Sequence, residues 1–122
     1  MQKLPNTLLQ KASLRGNEYA WLLRDIPEVI NTAEHLGLIN QGGQLQFRIP
    51  DATCEANEIK VDSFGVKDCS KAAIRCRDAF NAVISKHDFR ARARDWKILR
   101  DFEKQGGDLE SHTFFVWYLT EA

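Results

Sequence analysis

The side chains in this sequence best suited to metal or acid–base chemistry are three histidines, and they are widely separated. His35, His87 and His112 fall on different predicted elements, and none has a cysteine, carboxylate or second histidine at the spacing of metal ligands. The glycine pairs Gly42-Gly43 and Gly106-Gly107 stand alone, and neither a phosphate-binding glycine loop nor a Gly-x-Ser-x-Gly motif occurs. The sequence therefore predicts a protein without catalysis, metal or cofactor.

Basic side chains are concentrated in segment 71–104, which carries 10 basic and 5 acidic residues within a chain of zero formal net charge. Bases that could neutralise phosphates there are Arg75, Arg77, Lys86, Arg90, Arg92, Arg94, Lys97 and Arg100. The cluster is interrupted by Asp78, Asp88, Asp95 and Asp101. These carboxylates can pair with neighbouring arginines, so a solvated helix, or one facing an acidic partner, is favoured over a nucleic-acid surface. The stripe Arg90, Arg94 and Lys97 is then a candidate protein contact.

A second set of polar side chains alternates with apolar ones after Gly42-Gly43. Apolar Leu45, Phe47 and Ile49 alternate with Gln44, Gln46 and Arg48, which is typical of a strand with one buried face. A turn is predicted over Pro50 to Thr53, followed by a strand from about Cys54 to Phe64 with Ile59 and Val61 inward. The outer face of this hairpin would display Gln44, Gln46, Arg48, Glu58, Lys60 and Asp62.

Helices are predicted on both sides of this hairpin. Asn6 caps a helix over Thr7 to Leu14, and Asp25 caps a helix that ends at Leu36 before Gly37. Asn40 to Gly43 is predicted to be a turn between two strands. Asp68 or Ser70 begins a helix to about Lys86 that buries Ala73, Cys76, Phe80, Val83 and Ile84. Asp88 begins another helix, which continues to about Lys104 with Trp96 on its apolar face.

The closing segment, His112 to Leu119, is predicted to be a strand that is apolar on both faces. Phe114, Val116 and Tyr118 face one way, while Phe115, Trp117 and Leu119 face the other. Such a strand is central in a sheet, or else its aromatic residues form an interaction surface such as that of a homodimer. Taken together, the elements predict a single α+β domain over residues 1–122, with a small, mainly antiparallel sheet and helices on at least one face.

Three features of the sequence indicate where in the cell the protein is located. No run approaches the roughly 18 apolar residues that are required to span a bilayer. The first six residues lack the apolar core of a secretory signal. Cys54, Cys69 and Cys76 contain no Cys-x-x-Cys pair and are predicted to be small buried apolar residues in a reducing compartment. We therefore expect a cytoplasmic protein without membrane contact.

An ordered set of segments resembles a known family. The segments are Leu4-Pro5 with Leu8-Leu9, Glu18-Tyr19-Ala20-Trp21, the helix from Asp25 to Gly37-Leu38, Gly42 to Phe47, Pro50-Asp51, Thr53-Cys54-Glu55, Asp88-Phe89, Gly107-Asp108 and the aromatic strand Phe114 to Tyr118. In this order they resemble the predicted immunity proteins of bacterial polymorphic-toxin systems, immunity family forty.

The resemblance implies a protein that neutralises a cognate toxin by direct binding, with no cofactor. Residues that could contact the toxin are Gln44, Gln46, Arg48, Asp51, Glu55, Glu58, Asp62, Arg90, Arg94 and Lys97. A nucleic-acid-binding module and a dimeric scaffold or regulatory domain are the alternatives.

Overall fold

The computed structural model describes residues 4–122 of the chain. Within this range there are five α-helices, five β-strands and two short 3₁₀ turns. The helices and strands, in chain order, are α1 (Asn6–Lys11), β1 (Ser13–Arg15), β2 (Glu18–Leu22), α2 (Ile26–His35), β3 (Leu38–Ile49), β4 (Ala52–Asp62), α3 (Cys69–Lys86), α4 (Phe89–Ala93), α5 (Lys97–Lys104) and β5 (Thr113–Glu121). The 3₁₀ turns lie at Leu23–Asp25 and Glu110–His112.

The strands form one antiparallel sheet in the order β1-β2-β5-β3-β4. The closing strand β5 is central, as its two apolar faces predicted, and the α+β class with an antiparallel sheet is confirmed. Phe115, Val116 and Trp117 are fully buried. These side chains are therefore not available as the aromatic surface considered above for a homodimer.

The helices pack on one face of the sheet. Phe80 of α3 makes edge-on ring contacts with Phe115 and Trp117, with centroid distances of 5.4 and 6.2 Å. On the same face, the Trp21 indole N–H donates to the carbonyl of Leu8 in α1 (2.9 Å). The Trp117 indole N–H donates to the buried Asn40 side chain (2.9 Å). Burial of these large aromatic residues is the main source of stability of the core.

The turn predicted at Asn40 to Gly43 is wrong, because β3 runs without interruption from Leu38 to Ile49. The glycines serve close strand packing instead. A Cβ on Gly43 would lie 1.5 Å from the carbonyl oxygen of Val116, and a Cβ on Gly42 would lie 2.0 Å from that of Val61. Gly42 also has φ +99°, beside an irregularity in the pairing of β3 with β5. Only glycine fits between the neighbouring backbones here.

The N-terminal segment also differs from the prediction. The first helix ends at Lys11 rather than Leu14, and β1 and β2 follow as a hairpin that the sequence reading missed. Gly16, with φ +60°, occupies the first position of its two-residue turn. The three residues of β1 are too few for alternation to identify a strand, and in β2 four apolar or aromatic residues follow Glu18 without alternation.

The helices that follow β4 are partly as predicted. The Asp68 carboxylate accepts a hydrogen bond from the backbone N–H of Lys71 (2.9 Å) and caps α3. Ile84, predicted to be buried, is 41% exposed. The helix predicted from Asp88 to Lys104 is broken between α4 and α5, because Trp96 has an extended backbone and packs its ring on Phe47 at 5.7 Å.

Candidate functional site

The face of the sheet opposite the helices carries a network of polar side chains. Alternation along β3 directs Gln44, Gln46 and Arg48 to this face, as predicted, while Leu45 and Phe47 enter the core. Neighbouring strands add the remaining members. We call this network the sheet-face cluster, and its members are Arg15, Glu18, Gln44, Gln46, Arg48, Glu55 and Tyr118.

Arg48 is the buried centre of the sheet-face cluster, with only 2% of its surface exposed. Its Nε donates to Gln46 Oε1 (2.8 Å), Nη1 donates to the Ser13 carbonyl (2.7 Å), and Nη2 donates to the Glu18 carbonyl (3.3 Å). Burial, followed by the nearby charge of Arg15, lowers the pKa of Arg48. Its charge is therefore held mainly by carbonyl dipoles of the N-terminal hairpin and by Gln46.

Arg15 fixes the N-terminal hairpin across the end of β3. Its Nη2 donates to the Ile49 carbonyl (2.6 Å), and its Nη1 donates to the Ala52 carbonyl (2.9 Å) and to the Thr53 hydroxyl (2.6 Å). These bonds hold β1 close to the turn between β3 and β4. In the sheet order, β1 and β3 are separated by β2 and β5. The sheet curls, and its edge hairpin covers the middle of the face.

This closure corrects the prediction that Gln46 and Arg48 are free to contact a partner. Gln46 is 1% exposed, and its amide bridges Arg48 to the Glu55 carboxylate. Both side chains lie on the predicted face, but the hairpin shields that face from water. They position their neighbours rather than contact a partner themselves.

Two carboxylates of the sheet-face cluster, those of half-buried Glu18 and exposed Glu55, are held by neutral donors. The Tyr118 hydroxyl donates to Glu18 Oε2, and the Gln46 amide donates to Glu55 Oε1. Gln44 Nε2 donates in turn to the Tyr118 oxygen (3.1 Å). Burial, and then the hydrogen bond to Glu18, raises the pKa of Tyr118. The phenol therefore stays protonated and continues to donate.

One oxygen of each carboxylate accepts no hydrogen bond from the part of the chain that the structure describes. Among residues 4–122, no side chain or backbone N–H donates to Glu18 Oε1 or to Glu55 Oε2. Likewise, no Lys, Arg or His nitrogen of the described chain lies within 4.0 Å of either carboxylate. The arrangement can accept hydrogen bonds from N–H donors of another molecule.

The remaining hairpin residues of the predicted set lie outside the hydrogen-bond network of the sheet-face cluster. Asp51 is exposed at the β3–β4 turn. Glu58 forms an ion pair with Arg92 (2.7 Å), which lowers its pKa through the hydrogen bond they share. Asp62 accepts from the backbone N–H of Phe64 (3.0 Å). All three are exposed carboxylates on β4 or at its beginning.

The basic stripe is paired with acids of its own helices. Arg90 and Arg94 both contact Glu103, at 2.7 and 3.1 Å, and Lys97 contacts Asp101 at 2.6 Å. Hydrogen bonds from Arg94 and Arg90 lower the pKa of Glu103. The structure therefore does not join this stripe to the sheet-face cluster.

Three members of the sheet-face cluster were missed as candidate contacts by the sequence reading: Arg15, Glu18 and Tyr118. Arg15 and Glu18 flank the Gly16-Asn17 turn and face one another in the hairpin. A glycine at the first position of a two-residue turn is a recognisable hairpin signal. Tyr118 alternates with Trp117, which places it on the opposite face of β5.

A second concave feature lies at one end of the helical layer. It is an open groove of about 1150 Å³ between the ends of α2 and α3 and the segment before β5. Phe80, Leu23 and Leu109 are among its apolar lining residues, while Arg24 and Glu110 are among the polar ones.

Within residues 4–122, no group of three or more His, Cys, Asp and Glu side chains is arranged to hold a metal ion.

The fold and the site define a two-layer α+β domain with a curled antiparallel sheet, helices on one face and a charged network on the other. No helix in the described range combines the length and apolarity needed to cross a membrane. Comparisons with protein-family models, with curated proteins and with solved structures find nothing that matches this chain. The resemblance to the immunity family therefore stays a prediction that depends on the sequence segments alone.

Proposed function

We propose that this chain is an immunity-type protein that neutralises a cognate bacterial toxin by binding directly to it. The observation that carries the proposal is a pair of carboxylates, those of half-buried Glu18 and exposed Glu55, each held in place yet with one oxygen unused by the described chain. The ordered segments that resemble the immunity family support the same function. Binding by occlusion requires no catalytic group of its own.

Preorganisation makes these two carboxylates suitable for binding. Glu55 is oriented by the buried Gln46, which is itself held by the buried Arg48. Glu18 is oriented by Tyr118. Side chains that are already fixed lose less conformational entropy when a partner binds, so more of the contact energy appears as affinity.

The nucleic-acid alternative is less well supported. Arg90, Arg92 and Arg94 already contact carboxylates of this chain. A phosphate would have to displace those carboxylates, and the field that it meets is weaker than the count of bases suggests. Binding to DNA or RNA whose strength falls linearly with the logarithm of the salt concentration would favour this alternative.

The direct test is to produce the chain together with the toxin domain encoded beside it. We expect the chain to restore growth of cells that produce the toxin and to form a complex that survives gel filtration. Failure to protect and failure to form a complex would together contradict the proposed function.

Charge reversal tests which surface is used. The double variant Glu18→Lys/Glu55→Lys is expected to weaken the complex by about 100-fold or more, the scale of a lost interface hot spot. Its matched control is Glu110→Lys at the groove, whose exposed carboxylate has no partner in the described chain. If only the control loses binding, the toxin contacts the groove instead. Circular dichroism of both proteins checks that they are folded.

A further inference from the structure

We propose that the sheet-face cluster binds a basic protein surface, with arginine or lysine side chains of the partner contacting Glu18 and Glu55. This inference rests on the proposed function, since it names the chemistry of the toxin surface that the face would meet. It follows from the distribution of charge on the face and from the way its own arginines are used.

The exposed charge of β4 and of the turn before it is mainly acidic. Residues 51–62 carry exposed Asp51, Glu55, Glu58 and Asp62 against a single exposed base, Lys60. Arg92 offsets Glu58, and the others have no basic side chain within ion-pair distance in the described chain. Together with Glu18, these groups give the edge of the face a negative potential that attracts a positively charged surface.

The two arginines of the sheet-face cluster offset part of this negative charge, but the hydrogen bonds found for them are all to atoms of this chain. Arg48 is buried, and its N–H groups donate to Gln46, Ser13 and Glu18. Arg15 donates to carbonyl and hydroxyl oxygens at the β3–β4 turn. Their donors are turned into the molecule, whereas the unused carboxylate oxygens of Glu18 and Glu55 are acceptors.

A guanidinium or an ammonium group is the natural counterpart of these acceptors. A guanidinium can donate two parallel N–H bonds to one carboxylate, and such charge-assisted bonds are stronger than neutral ones. An acidic partner would instead meet like charges along β4 without any free basic donor in the sheet-face cluster. The face therefore selects for basic partners and against acidic ones.

The test uses the isolated chain and three peptide probes: octa-arginine, octa-glutamate and an uncharged glycine-serine peptide. Two-dimensional NMR of the ¹⁵N-labelled protein reports where each peptide binds. We expect octa-arginine to shift the backbone signals of Glu18, Glu55 and Tyr118, the Gln44 side-chain amide and their neighbours. Octa-glutamate and the neutral peptide should leave these signals unchanged. The affinity for octa-arginine should fall as salt is added.

A matched pair of variants tests whether octa-arginine binds to the sheet-face cluster or simply to any acidic surface of the protein. Glu18→Gln/Glu55→Gln is expected to weaken octa-arginine binding by about tenfold, because two charge contacts are lost. Asp78→Asn/Glu110→Gln removes the same charge from other surfaces and should leave the affinity within about twofold. Equal affinities for both variants, or shifts confined to α3 or to the groove, would overturn the inference.

The toxin complex gives an independent readout. If it forms and its association rate is independent of salt, the inference of a basic contact surface fails while the proposed function stands. If octa-arginine binds the sheet-face cluster but the toxin does not, the proposed function fails while the preference of the face for basic groups is supported.

Discussion

Arg48 is the residue on which the opposite face of the sheet depends. Removing a guanidinium from water is unfavourable unless its N–H groups find acceptors. Here the acceptors are Gln46 and two backbone carbonyls, those of Ser13 and Glu18. One side chain therefore joins β3 to both strands of the N-terminal hairpin, and it also fixes the amide that holds Glu55.

Replacing Arg48 with methionine is expected to destabilise the protein. Arg48→Met keeps much of the side-chain volume but leaves buried carbonyl oxygens and Gln46 without their donors, for a loss of about 3 kcal/mol. Urea unfolding followed by tryptophan fluorescence measures the change. The control Arg24→Met replaces an exposed arginine and should change stability by less than about 0.5 kcal/mol. Equal stability of both variants would show that the bonds of Arg48 contribute nothing.

Tyr118 makes the stability of the protein sensitive to alkaline pH. Its pKa is raised above the usual 10.0 in the folded chain, so the unfolded chain loses the phenolic proton first. The stability from this group is fully present below about pH 10, the unfolded value, and falls as the pH rises through the folded-state pKa. Tyr118→Phe should therefore show a shallower alkaline loss of stability than the native chain. Urea unfolding across this pH range measures it.

The control for Tyr118 is Gln44→Leu, which removes a hydrogen-bond donor to the phenol but retains the phenol itself. This variant should keep the alkaline loss of stability that Tyr118→Phe lacks. The tyrosinate absorbance of the folded chain should also show Tyr118 titrating above its usual pKa of 10.0. An alkaline limb that is unchanged by Tyr118→Phe would contradict the assignment.

At the scale of elements, β3 is positioned by contact of backbones as much as by side chains. β3 pairs with β4 on one side and with β5 on the other. At Gly42 and Gly43 both neighbours approach more closely than a Cβ allows. The glycines thus determine how tightly the two halves of the sheet can close.

The variant Gly43→Ala is expected to disrupt this contact. The added Cβ would lie 1.5 Å from a backbone oxygen that no side-chain movement can displace. We expect a loss of about 3 kcal/mol or more, which circular dichroism would record as a lower unfolding midpoint or a failure to fold. The comparison is Gly16→Ala, where no atom lies within 4 Å of the new Cβ. There the positive φ alone should lower stability by about 1 kcal/mol. A smaller loss for Gly43→Ala than for Gly16→Ala would refute the close-contact explanation.

At the scale of the whole molecule, the hairpin of β1 and β2 works as a cover for the helix-free side of the sheet. Arg15 of the hairpin donates a hydrogen bond to the Ile49 carbonyl beside the β3–β4 turn, and Arg48 of β3 donates one to the Ser13 carbonyl of the hairpin. The contacts of α2 and α3 with β3 lie on the other side. β2 is paired with β5, and its Trp21 is buried in the core, whereas β1 pairs only with β2. β1 and the Gly16-Asn17 turn can therefore loosen without the core between sheet and helices unfolding.

Arg15→Ala tests this division. We expect the backbone amides of β1 and the Gly16-Asn17 turn to exchange with solvent at least about tenfold faster, while those of α3 keep their rates, because only local opening becomes easier. Hydrogen–deuterium exchange followed by NMR gives the rates residue by residue. Arg24→Ala serves as the exposed control. A uniform increase across β1 and the core would mean that β1 opens only when the whole domain unfolds.

Much of the architecture could be predicted from local sequence. Alternation assigned Leu45, Phe47 and Ile49 to the core, and the apolar character of β5 on both faces placed it centrally. The helical periodicity also predicted α2 and α3, and of the two caps proposed for α3, Asp68 or Ser70, the structure uses Asp68. These features depend on the geometry of neighbouring residues, which a sequence carries directly.

What only the tertiary structure decided is which faces are covered and what meets there. Alternation placed Gln46 and Arg48 on the outer face correctly, but it could not foresee that Ser13, 35 residues away from Arg48, would accept its hydrogen bond and help to bury it. The break at Trp96 likewise depends on Phe47, a distant residue. The face of a side chain follows from local geometry, whereas its exposure depends on contacts between residues far apart in the chain. The sequence alone therefore indicated a polar strand face, and the fold turned two of its residues into supports for Glu18 and Glu55.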